Sequence, residues 1–372
     1  MVSHKFFIEW AIDVNRIIMI RLTYMNDTII YSPILKVFNK NSELSSSDVA
    51  SLISNSLSLV TVKRQLSALH KRGYLIQTGA GRSVKYKLSK VGILLRPVDT
   101  KEYLNNPPDT RMMDNHFQFD LFAEPNVPLF DEQEMKMLKS STKAYRQRSV
   151  SSDPNIRRKE LMRFIVEFSW KTSQIEGNTY DLISTERLLL YGEKSTSNTE
   201  FETQMIINQK NALDFILENP DLWGSPNLGL IERLHNYVGE GLGISNGFRK
   251  SLVGITGTNY RPLENEFQIK EATRDLLSYI EIANNSYEKA LLAVLGLSYI
   301  QPFVDGNKRT SRLLSNAYLL HHNLAPLSYR SVDDRDYKEA TLLFYEQNTI
   351  MPFKKIFIEQ YVFSANNYNL SI

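Results

Sequence analysis

The stretch Gln301-Pro302-Phe303-Val304-Asp305-Gly306-Asn307-Lys308-Arg309-Thr310-Ser311-Arg312 concentrates residues that can do chemistry. It follows the apolar run Glu288–Ile300 and precedes Leu313, Leu314, Ala317 and Tyr318, whose spacing continues as a helix. A Gly-containing loop running into a helix N-terminus offers free N–H groups and the positive end of a dipole to an anion. Arg309 and Arg312, three residues apart, share one face of the first turns, and each guanidinium can present two donors to phosphate oxygens. Asp305 is a hard oxygen ligand suited to Mg²⁺ on a phosphate. By residue type the stretch reads as a nucleotide- or phosphate-binding loop, or as a capped core helix with surface arginines.

Helices must position this loop. Leu161, Phe164, Ile165 and Phe168 keep helical spacing and lead to Gly177, a helix-ending residue. Ile183–Leu190, Gln204–Leu217, Leu228–Val238 and Gln268–Ile282 also read as helices, and the run ending at Ile300 is apolar nearly all round, which predicts a buried central helix. Leu252-Val253-Gly254-Ile255 followed by Thr256-Gly257-Thr258-Asn259-Tyr260 reads as a short β-hairpin. Residues 97–154 read as an irregular connecting segment, with breakers at Asn105–Asp109 and Ser149–Pro154 and a body-packed stretch through Phe117, Phe119, Leu121 and Phe122. The expected organisation is a basic module over 1–96, a connector over 97–154 and a mainly α-helical body over 155–372.

The basic module is set apart by charge. Residues 1–100 hold fourteen Lys and Arg against six Asp and Glu, a net of +8, and the remainder is at −5. Residues 61–90 carry eight cations and no acid. Ser45–Asp48 offers caps for a helix on Val49, Leu52 and Ile53; a polar turn at Ser54–Ser56 follows; Val62, Leu66 and Leu69 mark a second helix. Tyr74–Ile76 and the alternation of Val84, Tyr86 and Leu88 with Lys85 and Lys87 read as a two-stranded ribbon around Gly79–Gly81. The order resembles a winged helix-turn-helix, in which the second helix enters the major groove. Lys63, Arg64 and Gln65 on that helix, with Arg82 and Lys85 on the wing, are the expected DNA contacts; the alternative is a solvated face that serves protein contacts.

Composition narrows the chemistry. The 372 residues contain no cysteine, which removes thiol nucleophiles, disulfide scaffolds and Cys-ligated metals, and only six histidines. The N-terminal stretch from Met1 is broken by Glu9, Asp13 and Arg16 and does not read as a signal peptide, and the longest apolar run, Ala290–Ile300, is too short to span a bilayer. A soluble cytoplasmic protein without a membrane partner is expected, with homo-oligomers left open.

The longer string resembles the Fic family motif, His-x-Phe-x-(Asp/Glu)-Gly-Asn-Gly-Arg-x-x-Arg, through Phe303, Asp305, Gly306, Asn307, Arg309 and Arg312. Thr172-Ser173-Gln174-Ile175-Glu176-Gly177-Asn178 is similar to the family's inhibitory pattern (Ser/Thr)-x-x-x-Glu-(Gly/Asn). The resemblance covers roughly residues 155–365 and implies a bundle of α-helices with a short flap. It also implies AMP transfer from ATP to a protein hydroxyl. Asp305 would then hold Mg²⁺, Gly306 and Asn307 would supply the anion hole, and Arg309 and Arg312 would bind phosphates. Glu176, within Thr172–Gly177, would take the place of the γ-phosphate on Arg312. Gly257, Thr258, Asn259 and Tyr260 would be the flap that holds a target segment by strand addition. For Glu176 the plain alternative is a capping acid.

Two positions depart from the motif. Gln301 stands where the family has the His that takes the proton from the attacking hydroxyl, and an amide has no basic lone pair near neutral pH. A positioned base contributes about 10²–10⁴-fold, so AMP transfer is expected to be weak or lost. Lys308 replaces the motif's second Gly, as in the Doc branch of the family, which transfers phosphate. Three readings follow: a slow, self-inhibited adenylyltransferase, a nucleotide-sensing regulator without enzyme activity, and a Doc-like phosphotransferase.

Overall fold

The computed structural model describes residues 33–38, 42–53, 56–122, 128–151 and 153–370. The N-terminal stretch read against a signal peptide, Ser54 and Asn55 of the polar turn, and Ser152 of the second breaker lie outside the described residues. The chain divides into two compact units, Met1–Asp99 with Thr349–Met351, and Thr100–Asn348 with Pro352–Ile372.

The first unit contains α1 (Pro33–Lys36), β1 (Leu44–Ser45), α2 (Ser46–Leu52), α3 (Leu59–Lys71), β2 (Leu75–Thr78), β3 (Lys85–Leu88) and α4 (Lys90–Leu94). Ser45 caps α2: its hydroxyl accepts from the Asp48 N–H while the Asp48 carboxylate accepts from the Ser45 N–H at 2.8 Å, two orphan donors satisfied reciprocally. α3 buries the expected stripe Val62, Leu66 and Leu69. In α2 the expectation fails at Leu52, which is 55% exposed. That helix buries Val49 and Ala50, and Leu52 lies two residues past Ala50, about 200° round the helix. The sheet is antiparallel in the order β1-β3-β2, with Leu75 opposite Leu88 and Leu44 opposite Tyr86. Tyr86 and Leu88 face inward and Lys85 and Lys87 outward, as the alternation requires.

The second unit is helical: α5 (Thr100–Leu104), α6 (Glu132–Ser151), α7 (Pro154–Ile175), α8 (Leu182–Tyr191), α9 (Glu200–Glu218), α10 (Leu228–Gly239), α11 (Glu266–Glu281), α12 (Ser286–Ile300), α13 (Asn307–His321) and α14 (Asp334–Gln347), with α15 (Met351–Asn367) beginning at the last residue of the first unit's short insertion. The protein is thus mainly α-helical, with a three-stranded sheet among the described residues. α12 sits at the centre; from Tyr287 to Ile300 every residue except Lys289 is buried. Its main neighbours are α13 and α11. At Gly296 a Cβ would come within 2.3 Å of Leu276 Cδ1, so glycine permits the close approach of α11 to α12.

Two expectations are corrected here. The connector is not irregular: α5 and the twenty-residue α6 lie within 97–154. The buried face of α6 includes Glu134, Leu138, Ser141, Thr142 and Tyr145, three of these five without an apolar side chain, so the hydrophobic period is muted. The segment Leu252–Tyr260 forms no paired strands. Its neighbour is instead the connector: Arg261 bridges His116 in parallel and its N–H donates to the Asn115 carbonyl at 2.7 Å.

Candidate functional site

α12 ends at Gln301, which takes the left-handed conformation (φ 52°) while its N–H still donates to the Leu297 carbonyl. A non-glycine residue there is strained, and the surroundings hold it. Its amide Nε2 donates to the Ser298 carbonyl at 2.5 Å and lies 3.4 Å from Tyr345 Oη. Its carbonyl accepts from Arg249 Nε at 2.6 Å. Arg249 also donates from its backbone N–H to Pro302 and from Nη1 to Ser251, so one buried guanidinium ties the loop to the start of the 251–260 segment. Burial brings that guanidinium down to about 10.

The loop itself is closed by Asn307, whose Oδ1 accepts from the Phe303 N–H and whose Nδ2 donates to the Phe303 carbonyl, both at 2.8 Å. The Asn307 side chain is thereby committed to the loop. Gly306 opens α13 at φ 78°, and a Cβ there would press Val238 Cγ1 at 3.1 Å. The first N–H to find an intrahelical acceptor is that of Thr310, on the Gly306 carbonyl, which leaves the N–H groups of the first turn open.

Charge gathers at this helix start. Arg309 Nη2 donates to Asp305 Oδ2 at 3.1 Å; the arginine is 3% exposed and the aspartate 63%. Arg312, fully buried, donates from Nε to Thr172 Oγ1 at 2.5 Å, and from Nη2 to the Thr172 carbonyl at 3.0 Å and to Glu176 Oε1 at 2.8 Å. Its guanidinium lies 5.3 Å from the Tyr337 ring centre. Lys308 Nζ stands 3.8 Å from Glu176 Oε2. Burial pushes the Glu176 carboxyl up, but Arg312, Lys308 and Arg309 outweigh it, so the group titrates below its usual range. Burial alone would lower Arg312; Tyr337 and Glu176 reverse that and raise it. Glu176 is the C-terminal cap of α7, and Gly177 follows at φ 98°. An acid at a helix C-terminus opposes the dipole, so the cations of α13, not capping, account for its place.

Nη1 of Arg309 and Nη1 of Arg312 are both buried without a hydrogen-bond partner. Two orphaned guanidinium donors beside an open helix N-terminus fit a polyanion. Asp305 is the carboxylate available for a divalent cation on it. No cluster of three metal-ligating side chains occurs among the described residues, so such a cation would complete its shell with phosphate and water oxygens.

Sequence reasoning passed over three contributors. His235 stacks on Phe303 at 3.7 Å, and its Nε2 lies 2.9 Å from the Asp305 carbonyl. A carbonyl only accepts, so Nε2 carries the proton, and Nδ1 is buried without a partner. Burial brings this histidine down to about 4. Arg249 is the second, and Arg111 the third: its Nη1 donates to the Gly257 carbonyl at 3.0 Å and to Glu346 Oε1 at 2.9 Å. Their partners are too distant in sequence for spacing to reveal.

The four expected flap residues divide. Gly257 forms the turn at φ 87°. Thr258 Oγ1 accepts from the Tyr260 N–H, and Asn259 Nδ2 donates to Asp109 Oδ1 at 2.8 Å. Tyr260 is a core residue, 2% exposed, stacked on Tyr299 at 4.7 Å. Within the first unit, Lys63 and Arg64 on α3, Arg82 in the turn before β3, and Lys85 on β3 are exposed, and Gln65 is half-buried.

A Fic/DOC family model matches residues 226–319, which span α10 to most of α13. The chain is 25% identical over 239 residues to the protein adenylyltransferase Fic of Nematostella vectensis, covering 63% of this chain and 54% of the relative, so the match spans about half of that protein's length. Similar folds occur in Fic-1 of C. elegans (20% identity, 63% of this chain and 71% of that one, TM-score 0.52) and in a Fic domain containing signaling protein from Bacteroides thetaiotaomicron (20%, 63% and 94%, 0.52). A Fic family protein from Desulfovibrio desulfuricans is also similar (18%, 65% and 75%, 0.54). Together with the loop geometry these matches identify a Fic/DOC family domain over residues 226–319 of the chain.

Proposed function

We propose that this protein binds ATP with Mg²⁺ at the loop from Pro302 to Arg312 and belongs to the adenylyltransferase lineage, with Glu176 acting as a built-in competitor for Arg312. The observation that carries the reading is the Glu176–Arg312 pair at 2.8 Å beside the unpartnered Nη1 atoms of Arg309 and Arg312. The carboxylate occupies part of a polyanion site and leaves donors spare, which is what a stand-in for one phosphate of three would do. Mg²⁺ on Asp305 would neutralise phosphate charge; Arg309, Arg312 and the N–H groups at Gly306–Lys308 would orient the phosphates. The segment Leu252–Gly257, exposed except at the half-buried Val253 and Ile255, would receive an extended protein segment.

AMP transfer itself is weak or absent in this reading. Gln301 is tied to Ser298 and Tyr345 and has no basic atom, and His235 is held neutral with its Nε2–H donating to the Asp305 carbonyl. The first unit is proposed to be a winged helix that contacts DNA through Lys63, Arg64, Gln65, Arg82 and Lys85, so that nucleotide occupancy informs a regulator. Lys308, which reaches toward Glu176 at 3.8 Å, favours a second reading as a Doc-like phosphotransferase.

The test uses the full chain, Glu176→Gly and the double variant Glu176→Gly/Gln301→His with ATP labelled at the α or γ phosphate. Glu176→Gly should bind ATP by calorimetry while transferring little label. Adding Gln301→His should raise transfer of the α label by about 10²–10⁴-fold. Failure of Glu176→Gly to bind ATP or to be stabilised by it defeats the nucleotide reading. Transfer of the γ label alone selects the phosphotransferase.

A further inference from the structure

Away from the motif loop, α6 carries a marked charge bias. From Met135 to Ser151 it holds Lys136, Lys139, Lys143, Arg146 and Arg148 and no acid. Lys139, Lys143 and Arg146 recur at i, i+4 and i+7 and so share a face. They line a groove of about 640 Å³ whose opposite wall is Asn285, Ser286 and Tyr287 at the start of α12, with His322 and Leu324 beyond the end of α13. No carboxylate lines it.

The groove is a built feature. Arg146 is fixed by two carbonyls, donating from Nε to Asn323 at 3.2 Å and from Nη2 to His322 at 3.1 Å, so its charge is oriented without being neutralised. Thr142 Oγ1 lies 2.6 Å from both Tyr287 Oη and Tyr361 Oη, a buried three-hydroxyl knot that stiffens the floor. Asn285 Oδ1 already accepts from the N–H groups of Tyr287 and Glu288, which leaves the Ser286 N–H and hydroxyl at the positive end of a fifteen-residue helix. His322 Nε2 is buried with no hydrogen-bond partner.

We infer that this groove is a second anion site, for a small phosphoryl-bearing molecule of two or more charges. Three cations and a helix N-terminus converge without a counter-charge, which suits a polyphosphate. The volume lies within the ~300–1,000 Å³ of small-molecule sites. Met135 and Leu324 give part of the lining an apolar character that an organic body would match. Inorganic polyphosphate and the tail of a nucleotide share this chemistry.

The test is titration calorimetry of the full chain with inorganic triphosphate and, separately, with ATP. Four proteins are compared: wild type, Lys139→Ala/Lys143→Ala, the control Lys136→Ala/Lys159→Ala, and Lys308→Ala at the motif loop. The lysines changed on α6 and α7 are exposed, and unchanged Tm values verify folding. Triphosphate should bind wild type and the control alike, and about tenfold or more weakly to Lys139→Ala/Lys143→Ala. Comparable ATP binding lost in the same variant assigns the site to nucleotides, and triphosphate binding alone assigns it to free polyphosphate; both support the inference. Absence of binding to wild type overturns it. Equal weakening in both lysine pairs, the signature of diffuse surface charge, also overturns it, as does a loss confined to Lys308→Ala.

Discussion

Glu176 and Arg312 meet at 2.8 Å across 136 residues of sequence, joining the end of α7 to the second turn of α13. The arginine is wholly buried and the glutamate 19% exposed, so the two are unequal: Glu176 is the member that can leave toward solvent, and Arg312 the member that then needs another anion.

Glu176→Gln should therefore lower stability by about 2–3 kcal/mol, below the cost of breaking a fully buried pair, because Arg312 keeps Thr172 and Tyr337. Excess ATP should restore the Tm of the variant more than that of wild type. The pH dependence has a definite sign. The Glu176 carboxyl titrates below its ordinary 4.5, so its contribution is present above that value and is lost as pH falls through the lower, folded-state value. The Tm gap between wild type and Glu176→Gln should close as the solution is acidified below about 4.5. A gap constant with pH would mean that the carboxylate's charge is irrelevant to the contact.

His235 supplies a second window. Its folded value of about 4 lies below the ordinary 6.5, so between these values the unfolded chain binds the extra proton and stability rises with pH. Acidification from 6.5 toward 4 should cost on the order of 3 kcal/mol through this residue. Chemical denaturation of His235→Asn across that range should show a flatter profile than wild type. An equal slope would show that the histidine does not titrate in this window.

These sites differ in how readily the sequence discloses them. The α12–loop–α13 unit is legible because an all-round apolar run, a glycine and a cationic first turn adjoin one another, and local rules act at that range. The contact of Glu176 with Arg312 could be expected only through resemblance, since no spacing rule spans 136 residues. α6 escaped because Ser141 and Thr142 occupy buried positions, where a hydroxyl bonded to Tyr287 and Tyr361 replaces an apolar contact. The 252–260 segment misled for the opposite reason. Its residue types suit strands, but the neighbour at Arg261 comes from Asn115 and His116, far upstream. Pattern reports what a segment can form, and tertiary partners decide what it does form.

Arg111 is the clearest residue of that hidden kind. It joins the Gly257 turn to Glu346, whose side chain is fully buried. Arg111→Met should cost about 3–5 kcal/mol by stranding that carboxylate. Adding Glu346→Gln should recover a good part of the loss, because a neutral amide is cheaper to bury than an unpaired charge. Limited proteolysis should find new cleavage near Gly257 in Arg111→Met alone. If the two substitutions simply add in their effects on denaturant midpoint, the pair is not energetically coupled.

The last prediction concerns the first unit. α3 turns Val62, Leu66 and Leu69 inward and leaves Lys63 and Arg64 exposed, with Arg82 and Lys85 exposed on the following ribbon. If these cations neutralise DNA phosphates, each contact releases about 0.9 counterion, and the logarithm of affinity falls linearly with that of salt concentration. Lys63→Ala/Arg64→Ala should weaken binding and make the slope shallower by about 2. Neither residue packs in the core, so the variant should keep the wild-type Tm. Measured by fluorescence anisotropy on a duplex over a salt series, an unchanged slope would remove both residues from the interface. A slope change with equal losses on unrelated duplexes would assign them to backbone contacts, and a loss confined to one duplex would assign them to base readout.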